Sequence, residues 1–87
     1  MAVIGGEIEQ LAALKALFDR QSAMIGEIVS SIRSQLGNTY WEGPAAARFR
    51  GDWQSTHESH LLRLQTQLTE CATEVSRRRE MLIRAGS

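Results

Sequence analysis

Apolar residues recur along the first half of the chain with the period of a packed helix. Ile4, Leu11, Phe18, Ile25 and Ile32 stand seven residues apart, and Leu14 and Ile28 take the second seam position of the same heptad frame. Ile8, Val29 and Leu36 flank this seam on one side and Leu17 and Met24 on the other, so the apolar face is wider than one neighbouring helix covers. The spacing predicts a first helix over about residues 5–37 that touches two neighbours.

Gly37 and Asn38 both tolerate a left-handed backbone and make a C-terminal stop. The chain's one proline, Pro44, suits a first helical position, where its fixed φ helps and its missing N–H is not needed. The turn is therefore placed at about 38–43 and a second helix at about 44–84, ending near Ala85 and Gly86. Along that helix three rows repeat every eleven residues: Phe49, His60, Cys71 and Leu82; Trp53, Leu64 and Val75; Ala46, His57 and Leu68. Such rows predict a straight amphipathic face.

The expected architecture is all-α, an antiparallel helix-turn-helix hairpin forming one domain over residues 1–87. Helices of about 30 to 40 residues are roughly 45 to 60 Å long at 1.5 Å per residue, and two such rods cannot enclose a core. Each seals one side of the other and leaves a long apolar groove, so the hairpin is expected to dimerise into a four-helix bundle. The residues expected to form the hairpin and dimer interfaces are Leu11, Leu14, Phe18, Ile25, Ile28, Ile32, Phe49, Trp53, Leu64, Leu68 and Val75.

Composition removes several other readings. Ten basic and ten acidic residues balance, so no global basic field draws the chain to nucleic acid or an anionic membrane. Cys71 is the sole cysteine, which leaves neither an internal disulfide nor a thiolate set for zinc. The first residues carry no basic n-region or apolar run of signal length, and no stretch reaches the 18 or so apolar residues of a membrane span. By composition alone the chain reads as soluble and cytoplasmic.

The segment Asn38 to Trp53, NTYWEGPAAARFRGDW, holds Trp41-x-Gly43 in the inter-helix turn, followed by Ala45, Ala46, Phe49 and Trp53. A W-x-G between two helices in so short a chain resembles the WXG superfamily, the small Esx-type (early secretory antigenic target-like) proteins of type VII secretion systems. The resemblance in organisation covers essentially the whole chain. It implies a hairpin that pairs with a homologous WXG-type hairpin, is exported folded without a cleaved signal peptide, and acts as effector or co-secreted partner, which moves the expected location from cytoplasmic to secreted. It also implies that Trp41 and Gly43 belong to the turn read by a type VII secretion ATPase. The family's Tyr-x-x-x-Asp/Glu export signal near the C-terminus has no counterpart here, since the sole tyrosine is Tyr40, in the turn. That departure favours a heterodimer, with the signal on the other subunit, over a homodimer. The alternative is an intracellular helical adaptor or scaffold dimer that is not exported.

Other chemistry finds little footing. His57, Glu58 and His60 echo H-E-x-x-H, but Leu61 stands where the second histidine is required, so no metal site and no catalytic set follow. Cys71 reads as a small buried apolar residue. Arg77, Arg78 and Arg79 read as a solvated face near a helix C-terminus, screened by Glu74 and Glu80. Trp41 also has a packing role open to it, as a plug of the hairpin end beside Gly43. No cofactor, nucleic-acid partner, small-molecule substrate or enzymatic activity is expected.

Overall fold

The structure is a computed structural model that describes the backbone of residues 2–86 and the side chains of residues 6–86, so the Ile4 seam position lies outside the described side chains. Helix α1 spans Ala2–Asn38, α2 Pro44–Asp52 and α3 Ser59–Gly86, and a π-helical segment, Trp53–Glu58, joins α2 to α3 without a break. The described chain is all helical apart from the short turn, and α1 packs antiparallel on α3. The hairpin measures 66 × 17 × 13 Å, with a radius of gyration of 19.5 Å. A compact domain of this length would have a radius near 12 Å. The rod is therefore one side chain thick between its two helices. Ile25, Val29, Ala46 and Ala72 are its only buried apolar residues among those described.

The seam is heptadic on both helices. On α1, Leu11, Phe18, Ile25 and Ile32 alternate with Ile8, Lys15, Ser22, Val29 and Leu36, every one buried or half-buried. On the second rod, Leu61, Leu68, Val75 and Leu82 of α3 alternate with Glu58 of the π segment and with Gln65, Ala72 and Arg79 of α3, again all buried or half-buried. The second seam position of α1 thus belongs to the Ile8–Val29–Leu36 row, and Leu14 and Ile28 lie beside the seam, exposed.

The π segment explains why α3 does not follow the eleven-residue rows. Ala46, Arg50 and Trp53 face α1 at ordinary helical spacing, but the next inward residue is Glu58, five positions on. One extra residue in the turn rotates everything downstream by about 100° relative to an unbroken α-helix. His57, His60, Leu64 and Cys71 are turned out and are exposed, while Glu58, Leu61, Gln65 and Ala72 take the seam. Cys71, expected to be buried, is exposed for this reason.

Gly43 sets the connection. Its φ of 110° and ψ of 176° are open only to glycine, and its carbonyl accepts the Ala47 N–H at 3.0 Å to start α2, with Pro44 at the first helical position. At the other end of the turn α1 has no basic residue in its last turn; its Leu36 carbonyl accepts from Arg50 Nη2 and from the Thr39 N–H, each at 3.3 Å, and its Gln35 carbonyl accepts from the Thr39 hydroxyl at 2.6 Å.

Candidate functional site

The two long sides of the hairpin differ in chemistry. On one side, polar groups tie helix to helix. Arg79 Nε donates to the Ile8 carbonyl at 3.2 Å. Ser22 Oγ lies 3.0 Å from Thr69 Oγ1 and donates to the Gln65 carbonyl, while Gln65 Nε2 returns a bond to the Ser22 carbonyl at 3.0 Å. Gly26 admits the Gln65 amide, which would stand 2.9 Å from a Cβ at that position. Arg33 grips Glu58 through Nε and Nη2, each at 3.1 Å. The Glu58 carboxylate raises the Arg33 pKa above the ordinary arginine range, chiefly through that hydrogen bond and secondarily through charge.

The other side carries no such ties. Leu14, Leu17, Met24 and Ile28 of α1 lie one helical step beyond the seam on the side away from Gly26 and Arg33, and all are exposed. In an antiparallel pair the matching positions of the second rod share that side, and there stand Phe49, His57, His60, Leu64 and Cys71. Phe49, Trp53, His57, His60, Leu61 and Leu64 line one groove, and Met24, Ile28 and Ile32 line a hollow on α1. We call these the tied side and the open side.

The W-x-G turn closes one end of the open side. Trp41 packs against Phe49 with ring centroids 5.6 Å apart at 53°, so the turn tryptophan continues the apolar row that Phe49 begins. It is still 40% exposed, and Tyr40 beside it is 90% exposed. Arg50 organises this end. Its guanidinium donates to the carbonyls of Trp41 at 2.8 Å, Thr39 at 3.0 Å and Leu36 at 3.3 Å, and sits 5.9 Å from the centre of the Trp41 ring. Sequence reasoning passed over Arg50. The available signal was a helix C-terminus without a basic residue of its own, followed by an arginine placed to reach back over the turn.

The residues anticipated at the interfaces therefore divide. Leu11, Phe18, Ile25, Ile32, Leu68 and Val75 lie in the hairpin seam, Trp53 is half-buried at its edge, and Leu14, Ile28, Phe49 and Leu64 lie on the open side. Trp41 and Gly43 stand together in the turn. Of the arginine run, Arg77 and Arg78 pair with Glu74 at 2.6 and 2.9 Å, whereas Arg79 turns inward to its Ile8 contact and is half-buried. His57 and His60 share the groove. Among the described residues, no group of three or more histidine, cysteine, aspartate or glutamate side chains could hold a metal ion, and no helix is long and apolar enough to cross a membrane.

No family model, curated protein or solved structure matches the chain.

Proposed function

We propose that this chain is a WXG-type subunit of a type VII secretion system, exported folded and paired with a homologous hairpin, and acting outside the cell as effector or co-secreted partner. The observation that carries the reading is the turn. Gly43 occupies a backbone conformation that only glycine adopts readily, and Trp41 stands part-exposed two residues before it, joined through Phe49 to an apolar side that has no covering element. A partner hairpin laid on the open side would complete a four-helix bundle and leave the tied side in solvent. Trp41 would then stand at the edge of that pairing surface, where a secretion ATPase could read turn and partner together. Tyr40, in the turn, is the sole tyrosine of the sequence, which favours a heterodimer whose other subunit carries the tyrosine-based export signal over a homodimer.

The test is co-expression with a hairpin-encoding neighbouring gene, in strains with and without the secretion ATPase. The expected result is co-purification of the two chains and their joint appearance in culture supernatant only when the ATPase is present. Pairing with retention in the lysate of both strains would instead assign the chain to an intracellular helical adaptor.

A further inference from the structure

Two glutamines interrupt the apolar rows of the open side. Gln21 stands midway between Leu14 and Ile28 at heptad spacing, and Gln67 lies three residues beyond Leu64 and four before Cys71. Both are exposed. Ser22 bonds to Gln65 and lies against Thr69, so residue 22 of α1 is level with residue 67 of α3, and the antiparallel register brings Gln21 and Gln67 to one height on the rod. To one side of this layer Met24 is level with Leu64, and to the other Leu17 is level with Cys71. Neither amide has a hydrogen-bond partner among the described residues, whereas Gln65, two positions before Gln67, is bonded across the seam. We infer that Gln21 and Gln67 fix the register of pairing, and that the partner hairpin presents an uncharged hydrogen-bonding side chain, amide or hydroxyl, at their level between apolar layers of its own. The inference rests on the reading of the open side as the pairing surface.

Area selects a second two-helix rod as the occupant. The open side is the broad face of a rod of 66 × 17 Å, a footprint on the order of 1,000 Å², against about 800 Å² per partner in a standard stable interface. A lone helix about 10 Å across would cover one row and leave the other in water. Apolar contact is non-directional, so Leu14, Leu17, Met24, Ile28 and Leu64 would tolerate a partner slid along the rod by a turn or a heptad. The two amides would not. Each carries two N–H donors and a carbonyl acceptor, and a slide would press both against hydrocarbon with those groups desolvated and unpaired. A polar residue at a core position of a coiled coil selects register in this way, at a cost in stability. The partner's group is uncharged because the Met24–Leu64 and Leu17–Cys71 layers offer a buried charge no counter-charge. The hairpin's own seam has its polar layer at the same height, Ser22 against Gln65 and Thr69, so the paired form would carry one polar stratum through all four helices.

The register is read as the distance between two spin labels in the co-expressed pair. One label is carried by Ala23→Cys, at an exposed position away from the open side, in a Cys71→Ser background, and the other by a cysteine on the outer surface of the partner's first helix. The chain with both glutamines is expected to give one narrow distance. The double variant Gln21→Leu with Gln67→Leu, altered at exposed positions that leave the helical circular dichroism unchanged, should pair no more weakly and show a second distance, since a slide of one heptad moves the label by about 10 Å along the axis. Ile28→Asp is measured in parallel. Where Ile28→Asp abolishes the pair, an unchanged single distance in the double variant, or loss of its pairing, overturns the glutamine layer while the pairing surface stands. Where Ile28→Asp leaves the pair intact, or the unaltered chains do not pair, the open side is not the pairing surface and both readings fall together.

Discussion

Arg33 and Glu58 are joined by a hydrogen bond from Nε and an ion-pair contact from Nη2, each at 3.1 Å, one end of the pair exposed and the other 6% exposed in the seam. The arrangement gives Glu58 a paired carboxylate at a position where an apolar residue would serve packing alone. Removing the arginine strands a buried charge, which is far more damaging than losing a surface pair. Arg33→Ala should therefore lower the thermal midpoint clearly, whereas Lys15→Ala, which breaks the exposed Lys15–Asp19 pair, should cost less than about 1 kcal/mol. Arg33→Ala combined with Glu58→Leu should recover the loss, because an apolar replacement of both partners removes the stranded charge. The arginine's contribution is fully present below the ordinary guanidinium range and is lost only as pH rises through its raised folded value, so neutral and acid buffers leave that half of the pair charged. A wild-type melting temperature for Arg33→Ala would show that Glu58 is solvated after all.

The π segment yields a prediction about register. Between Trp53 and Glu58 there is one residue more than a heptad seam requires, and Ser55 lies exposed within that stretch. Deleting Ser55 should let α2 and α3 continue as one α-helix with both halves of the seam still facing α1, with helicity kept and stability changed by no more than about 1 kcal/mol. Deleting the equally exposed Thr66 instead rotates the remainder of α3 by about 100° and should unfold the hairpin. Circular dichroism with urea unfolding distinguishes the two, and equal damage from both deletions would refute the register argument.

The same extra residue marks the boundary of what the amino-acid pattern reveals. Helical segments, the break between them and the start of α2 at Pro44 are written in heptads, in Gly37–Asn38 and in proline chemistry, all of them local signals. The choice of seam row on α1 is not local. Leu14 and Ile28 are more apolar than Lys15 and Ser22, yet Lys15 and Ser22 are nearer the seam, because Ser22 is matched by Gln65 and Thr69 across it. On the second rod, Phe49, Trp53, Leu64 and Cys71 form a sound row only for an uninterrupted α-helix. Nothing in the spacing announces a π turn, whose effect is to exchange His57 for Glu58 at the seam. Arg50 was obscure for a related reason: its three carbonyl partners lie 9 to 14 residues away, beyond the reach of any helical period.

Gly43 is constrained by backbone alone, since nothing lies within 4 Å of a Cβ added there. Gly43→Ala should therefore destabilise by about 1–3 kcal/mol through strain at φ 110°, without any steric clash. Gly37→Ala, at a helical position with equally open space, should be neutral or slightly stabilising. Chemical denaturation of the two variants decides it; a neutral Gly43→Ala would mean that the turn can be rebuilt with negative φ.

Ile25 and Ile28 should separate folding from the proposed pairing. Ile25 is in the buried seam, so Ile25→Asp places an unpaired charge against α3 and should abolish the helical hairpin, as its penalty of several kcal/mol rivals a small domain's whole stability. Ile28 is 45% exposed on the open side. Ile28→Asp should leave a helical hairpin intact while eliminating association with the partner. Sedimentation and circular dichroism on both variants test this, and an Ile28→Asp chain that still associates fully would move the pairing surface elsewhere.

Under the proposed function, Trp41 is expected to bear on export. Its ring meets Phe49 and the Arg50 guanidinium but contributes nothing to the buried seam, and the turn backbone is held independently by Arg50's bonds to the Leu36, Thr39 and Trp41 carbonyls. Truncating the indole therefore removes an exposed aromatic while leaving the turn's backbone bonds and the long open side in place. Binding energy at recognition surfaces concentrates in such aromatic anchors. Trp41→Ala should accordingly co-purify with its partner as a helical dimer and accumulate inside the cell, the partner accumulating with it. Fractionation of culture into supernatant and lysate, with both chains probed, provides the measurement. Normal export of the variant would remove Trp41 from recognition, and loss of the dimer would make its contact with Phe49 part of the pairing surface itself.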